Sequence, residues 1–266
     1  MRRKTAALLQ KLLRARVPLG PGGHTCRVSA RPRLDPRLSR ATHRLFKGLS
    51  ATRGARIFHP TGSVYRARFE RLPTPPFPGV RILETDFGHE AIVRFSRGLG
   101  VPRPLPDFLG LAVRLPNVYG DGRHQDFLLA TTGRRPFGNA VPLPAASFFG
   151  RAFSSLLPYD VAGATRIVGA FALDAAPPVQ RIEPLAELDE AASQTALRFA
   201  IALAGATTHW RPVALLTLEE RSASGDAASL RFNPWNTGGG IEPAWAVNRL
   251  RDPAYRGSQC GRPTRT

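Results

Sequence analysis

The residues best equipped for chemistry are scattered along the chain, each in informative local company. Arg56-Ile57-Phe58-His59-Pro60-Thr61-Gly62 comes early, Val93-Arg94-Phe95-Ser96 follows it, and Arg251-Asp252-Pro253-Ala254-Tyr255 lies near the C-terminus. Together they supply one imidazole, two early guanidinium groups, a hydroxyl and a late arginine–tyrosine pair. An imidazole, with a reference pKa near ~6.5, can take up and return a proton around neutral pH. Guanidinium groups pair with carboxylates in a planar, two-pronged geometry. The inventory suits a haem with tyrosinate on one side, an acid–base histidine on the other and arginines for its propionates. Each member also has an ordinary reading: His59 as a surface or structural histidine, Arg94 as part of a solvated strand face.

Strands must position most of these groups. Ser63–Glu70 alternates, with Tyr65, Ala67 and Phe69 on one face, and the same reasoning predicts strands over 90–95, 109–115, 126–132, 166–173, 213–219 and 228–232. Positions 94 and 96, two apart on a strand, point to the same side, so one cavity could receive both. Pro/Gly clusters separate the runs, a pattern that predicts a barrel or sandwich. One long helix is predicted over 184–204, from Pro184 to the glycine at 205, with shorter ones at 144–156 and in the last 25 residues. Tyr159 reads as structural.

The chain of 266 residues carries a formal charge of +19, unevenly spread. Residues 1–50 hold 13 Lys/Arg against one acid, while residues 51–266 hold the other 25 against 18 acids. This separates a basic N-terminal arm and linker (1–50) from a folded domain (51–266). Only Lys4, Lys11 and Lys47 are lysine, and the abundance of Arg, Ala, Gly and Pro fits GC-rich coding, so the charge does not by itself argue for nucleic acid. The arm, with Ala6, Leu8, Leu9, Leu12 and Leu13 among its cations, is a candidate for weak contact with an anionic membrane surface, or else a packing arm or leader. It does not read as a secretory signal. Cys26 and Cys260 do not form a disulfide framework, which suggests a reducing, cytoplasmic compartment. No apolar run is long enough for a transmembrane helix. A phosphate-binding glycine loop, CxxC and HExxH are all missing from the sequence, which leaves nucleotide and zinc chemistry without support.

The segments carrying these residues resemble the haem catalases. Arg-Ile-Phe-His-Pro-Thr-Gly (56–62), Val-Arg-Phe-Ser (93–96), Pro106-Asp107-Phe108-Leu109-Gly110-Leu111-Ala112-Val113-Arg114 and Asp126-Phe127-Leu128-Leu129 are similar to the front half of those enzymes. Phe232-Asn233-Pro234-Trp235, Asn248-Arg249-Leu250-Arg251 and Tyr255 resemble the C-terminal signature of small catalase-related proteins that keep the barrel and lose the long arms. The resemblance implies an α+β fold: an antiparallel β-barrel of the haem-catalase type with flanking helices, binding haem b. It implies His59 as the distal histidine with Ser96 bonded to its ring, Arg56 and Arg94 on the propionates, and Tyr255 as the iron ligand. Arg251 would lower the tyrosine pKa from its free value near ~10, and Arg262 would support the same end. Thr131 stands where the family places its distal asparagine, and Phe58 replaces a small aliphatic residue beside the histidine.

These two departures point away from fast disproportionation and toward a peroxidase-like enzyme acting on hydrogen peroxide or organic hydroperoxides. Its partners would be the peroxide and an unidentified electron donor, with a homo-oligomer open and no nucleic acid expected. A haem-binding or haem-sensing protein without turnover is the alternative, and a basic nucleic-acid- or lipid-binding module a third.

Overall fold

The computed structural model describes residues 62–73, 78–85, 87–98, 100, 105–174, 183–205, 207–222 and 230–244, all within one compact unit, Ile57–Asn248. The basic arm, Arg56, Phe58, His59, Arg251, Tyr255, Arg262 and most of the expected C-terminal helix lie outside these residues.

Alternating runs pair with their sequence neighbours into antiparallel ladders. β1 (Gly62–Arg71), β2 (His89–Arg97), β3 (Leu109–Leu115) and β4 (Gln125–Thr132) form a meander, followed by β5 (Ala152–Ser154), β6 (Tyr159–Val161), β7 (Ala164–Ala172), β8 (Arg198–Ala204), β9 (Arg211–Arg221) and β10 (Ile241–Pro243). The sheet runs β1–β2–β3–β4–β5–β7–β8–β9, and β9 pairs back onto β1, which closes an eight-stranded barrel. Closure leaves those strands no open edge. β6 and β10 extend the sheet as a short flap off β7.

Register assigns each residue to a face. Tyr65, Val93, Val113 and Phe127 lie side by side on successive strands, as do Ser63, Phe95, Leu111 and Leu129, and these odd-numbered rows face the inside of the barrel. Phe95 is central: its ring meets Tyr65 edge-on at 6.0 Å, Phe148 edge-on at 5.1 Å and Phe199 tilted at 5.3 Å. Burying such a side chain is worth roughly 1.5–3 kcal/mol each. A smaller apolar cluster, Ala152, Phe171, Ala200 and Ala202, lies on the opposite, outer face, with Trp210 packed against it.

Among the described residues the α-helices are α1 (Arg81–Glu84) and α2 (Pro184–Gln194), with a single 3-10 turn at Gly138–Ala140. α2 starts on Pro184 as expected and buries Leu185, Leu188 and Ala191, but it stops at Gln194 rather than running to residue 204. The second half of the expected helix is strand β8. Leu197, Phe199, Ile201 and Leu203 face the core, and the intervening alanines face out, so the stretch is apolar on both sides. That composition suits a helix or a buried strand equally, and pairing with both β7 and β9 settles it as strand. The helix expected over 144–156 is also absent: the segment is turns followed by β5, because Phe148 and Phe153 must reach the core from chain that pairs with β4 and β7. Of the strand expected over 228–232, residues 230–232 are not in a strand. No described helix is long and apolar enough to cross a membrane.

Candidate functional site

Arg94 and Ser96 fall in the even-numbered rows, on the outer face of the barrel. Ser96 pairs across to Gly62 on one side and Gly110 on the other, and Gly110 pairs with Ala130. Arg94 sits between Val64 and Ala112 in the next row. Despite this outward setting both are buried, at 7% and 4% exposure. The Arg94 guanidinium lies over Gly62: a Cβ on that glycine would stand 2.9 Å from Arg94 Nη2 and would run into the Phe95 carbonyl. Gly62 therefore leaves room for a cation directly at the start of β1, three residues after His59 in sequence. Ser96 Oγ donates a long hydrogen bond of 3.5 Å to the Gly110 carbonyl. The row Gly62, Ser96, Gly110, Ala130 is a shelf of small side chains beside a buried guanidinium.

Thr131 does not share that shelf. It is opposite Phe153 in the core-facing row, and its Oγ1 accepts a hydrogen bond from the Leu109 amide at 3.1 Å. The register thus separates Thr131 from Arg94 and Ser96, with which the sequence reading grouped it. On the outer face the neighbouring positions are Ala130 and Thr132, and the Thr132 hydroxyl lies 3.5 Å from the Ala152 carbonyl.

One row beyond that of Arg94 on the same face is a polar cluster that sequence reasoning missed. Asp126, fully buried, accepts from Arg114 Nε at 2.7 Å and Nη2 at 2.6 Å, from the Asn233 amide at 2.8 Å and from Asn236 Nδ2 at 2.9 Å. The Asp126 amide donates to the Asn236 carbonyl at 2.8 Å. Arg114 also donates to the Arg231 carbonyl and lies 5.1 Å from the Phe232 ring centre. This cluster bolts the Phe-Asn-Pro-Trp segment across β3 and β4. The signal available in the sequence was the charged pair at 114 and 126, equally readable as solvated strand residues.

A cavity of about 460 Å³ lies beside Val64, its lining including Arg66, Glu90, Ile92, Pro116 and Leu230. That size is within the roughly 300–1,000 Å³ of small-molecule pockets.

At the mouth of the barrel, Asp189 on α2 accepts hydrogen bonds from Ser63 Oγ at 3.1 Å and from the Tyr65 hydroxyl, and pairs with Arg221 at 3.0 Å. Burial first, then the Asp189 carboxylate, raises the Tyr65 pKa far above its ordinary value, so the phenol stays protonated. Asp189 thereby ties α2 to β1 and β9. Tyr159 is buried in the core cluster. Among the described residues no group of three or more His, Cys, Asp or Glu side chains could hold a bare metal ion.

No protein-family model matches the chain, and no curated protein does. Solved structures do. A fungal catalase is similar over 90% of this chain and 65% of its own, with a TM-score of 0.55 and 14% identity. Catalase A from Saccharomyces cerevisiae is similar over 92% of this chain and 68% of its own, with a TM-score of 0.56 and 13% identity. The chain therefore spans about two thirds of the length of these catalases, by the same 65% and 68%. At this identity the likeness establishes the architecture: a closed antiparallel barrel of the kind found in catalases.

Proposed function

We propose that the protein is a haem-dependent, peroxidase-like enzyme that acts on hydrogen peroxide or organic hydroperoxides and uses haem b. One observation carries the reading. On a catalase-like barrel, Arg94 and Ser96, near the end of β2, are buried together on one outer face beside the start of β1, the strand that follows His59 in sequence. The described residues suit the group. A flat, carboxylate-bearing macrocycle needs a floor without bulky side chains and a desolvated cation. Gly62, Gly110 and Ala130 supply the first, and Arg94 the second.

Haem, when bound, would supply the redox centre at which the peroxide bond is cleaved. In this reading Arg94 and Arg56 would hold its propionates, and Tyr255 would ligate the iron. Arg251 favours the phenolate form of that tyrosine, and Arg262 supports the same end. A ring nitrogen of His59 takes a proton from one peroxide oxygen and returns it to the other. Ser96 Oγ orients the imidazole, and Phe58 narrows the space beside it and excludes water. Thr131 faces the core in the strand register, with its Oγ1 accepting from the Leu109 amide.

A second reading, haem binding without useful turnover, draws on Ala130. This side chain occupies the outer row beside Gly110 and offers no hydrogen-bond donor. Peroxide-dependent oxidation of a dye by the haem-loaded protein separates the two. The proposal expects turnover that falls by about a hundredfold or more in His59→Ala with haem retained. No turnover in either protein favours the second reading, while equal measurable rates in both would remove His59 from the mechanism.

A further inference from the structure

The loop between β4 and β5 is rigid where it touches the barrel and apolar where it leaves it. At its base the Gly133 amide donates to the Gly138 carbonyl at 3.1 Å, and the Gly138 amide donates to the Arg135 carbonyl at 3.1 Å. Asn139, only 1% exposed, donates through Nδ2 to the Gly205 carbonyl at 3.0 Å, and its own backbone carbonyl accepts from Ser154 Oγ. The Arg134 guanidinium lies 4.8 Å from the Phe171 ring centre.

From this braced base Phe137 projects with 72% of its surface exposed, and Val141 with 49%. Phe137 has φ of 64° and ψ of −32°, a backbone conformation that a bulky L-residue rarely adopts. The fold thus holds an aromatic ring in water, in a strained pose, on a stiff support. The electrostatic setting is one-sided: residues 127–159 contain Arg134, Arg135 and Arg151 and no aspartate or glutamate.

We propose that this tip is a membrane-contact site that inserts Phe137 and Val141 among the lipids of an anionic bilayer while Arg134 and Arg135 meet the headgroup phosphates. An exposed ring on a loop whose only charges are basic suits a soft, negatively charged interface, where apolar burial and charge attraction add. The chain's net charge of +19 favours the approach from a distance. The inference is independent of the proposed chemistry.

The test is co-sedimentation of the full chain with vesicles of phosphatidylcholine alone or with phosphatidylglycerol. The expected result is binding to the anionic vesicles only, weakened about tenfold in Phe137→Ser with an unchanged circular dichroism spectrum. In Phe137→Trp, the added indole emission at the tip should shift to the blue on vesicle addition and be quenched by brominated acyl chains. Three results overturn the proposal: no binding to either vesicle, undiminished binding of Phe137→Ser (which would assign the contact to the basic arm), or emission from the Phe137→Trp variant that ignores the brominated lipid.

Discussion

Replacing Asp126 with asparagine keeps the shape of the side chain and removes its charge. In the native fold this carboxylate is fully buried and answers four donors, two of them from an Arg114 side chain that is itself only 12% exposed. After Asp126→Asn the guanidinium stays buried without its counter-charge, and an amide NH2 faces one of its N–H groups. Removing one partner of a buried pair costs about 3–5 kcal/mol. For a domain of this size about 1 kcal/mol moves the midpoint by about 2–4 °C, so the melting temperature should fall by about 6–20 °C. The loss should appear in thermal and urea unfolding, with faster proteolysis of the Arg231–Asn236 segment. The double replacement Arg114→Met, Asp126→Leu should recover only part of the loss: it removes the costly buried charges but leaves the Asn233 amide and Asn236 Nδ2 without their acceptor. A single variant within about 1 kcal/mol of wild type would refute the bolt.

Three other outcomes follow from the same geometry. Tyr65 has a folded-state pKa raised above its unfolded value near ~10, so its contribution is complete below that pH and is lost as pH rises beyond it. Tyr65→Phe should cost about 1–2 kcal/mol at neutral pH and flatten the alkaline fall in a stability-versus-pH series. His89, 3.0 Å from Thr85 Oγ1, has its pKa lowered first by burial and then by Arg68. Its stabilisation is therefore present above about pH 6.5 and lost as pH falls through the depressed folded value, and His89→Gln should remove that acid-side slope in urea titrations. Gly169→Val should destabilise by about 1–3 kcal/mol, because a Cβ there runs into the Trp210 ring and stands 2.8 Å from the Phe153 carbonyl; thermal melts read this directly.

Strands with one face inward were legible from alternation alone. The expected span 109–115 coincides with β3, and 63–70 lies within β1. The pairing of Arg94 with Ser96 on one side followed from the same period of two. What alternation cannot supply is the choice of side: Arg94 is flanked by Val93 and Phe95, and only closure of the barrel around Phe95 turns the arginine outward. Thr131 shows the cost of this gap, since one residue of register separates the core-facing hydroxyl from the outward row of Ala130 and Thr132. The Leu197–Ala204 run misled for a different reason: alanines on its outer face pack flat against neighbouring elements, which makes a strand as apolar all round as a buried helix. The contacts of Asp126 and Asp189 join positions up to 126 residues apart and leave no local trace.

The central claim, that this barrel holds haem through a phenolate, is tested most directly by the absorption spectrum of the haem-reconstituted full chain beside its Tyr255→Phe variant. The account predicts a Soret band with the charge-transfer features of high-spin ferric iron bound to tyrosinate, and loss of those features in the variant. Protein that takes up no haem would contradict it, as would two superimposable spectra.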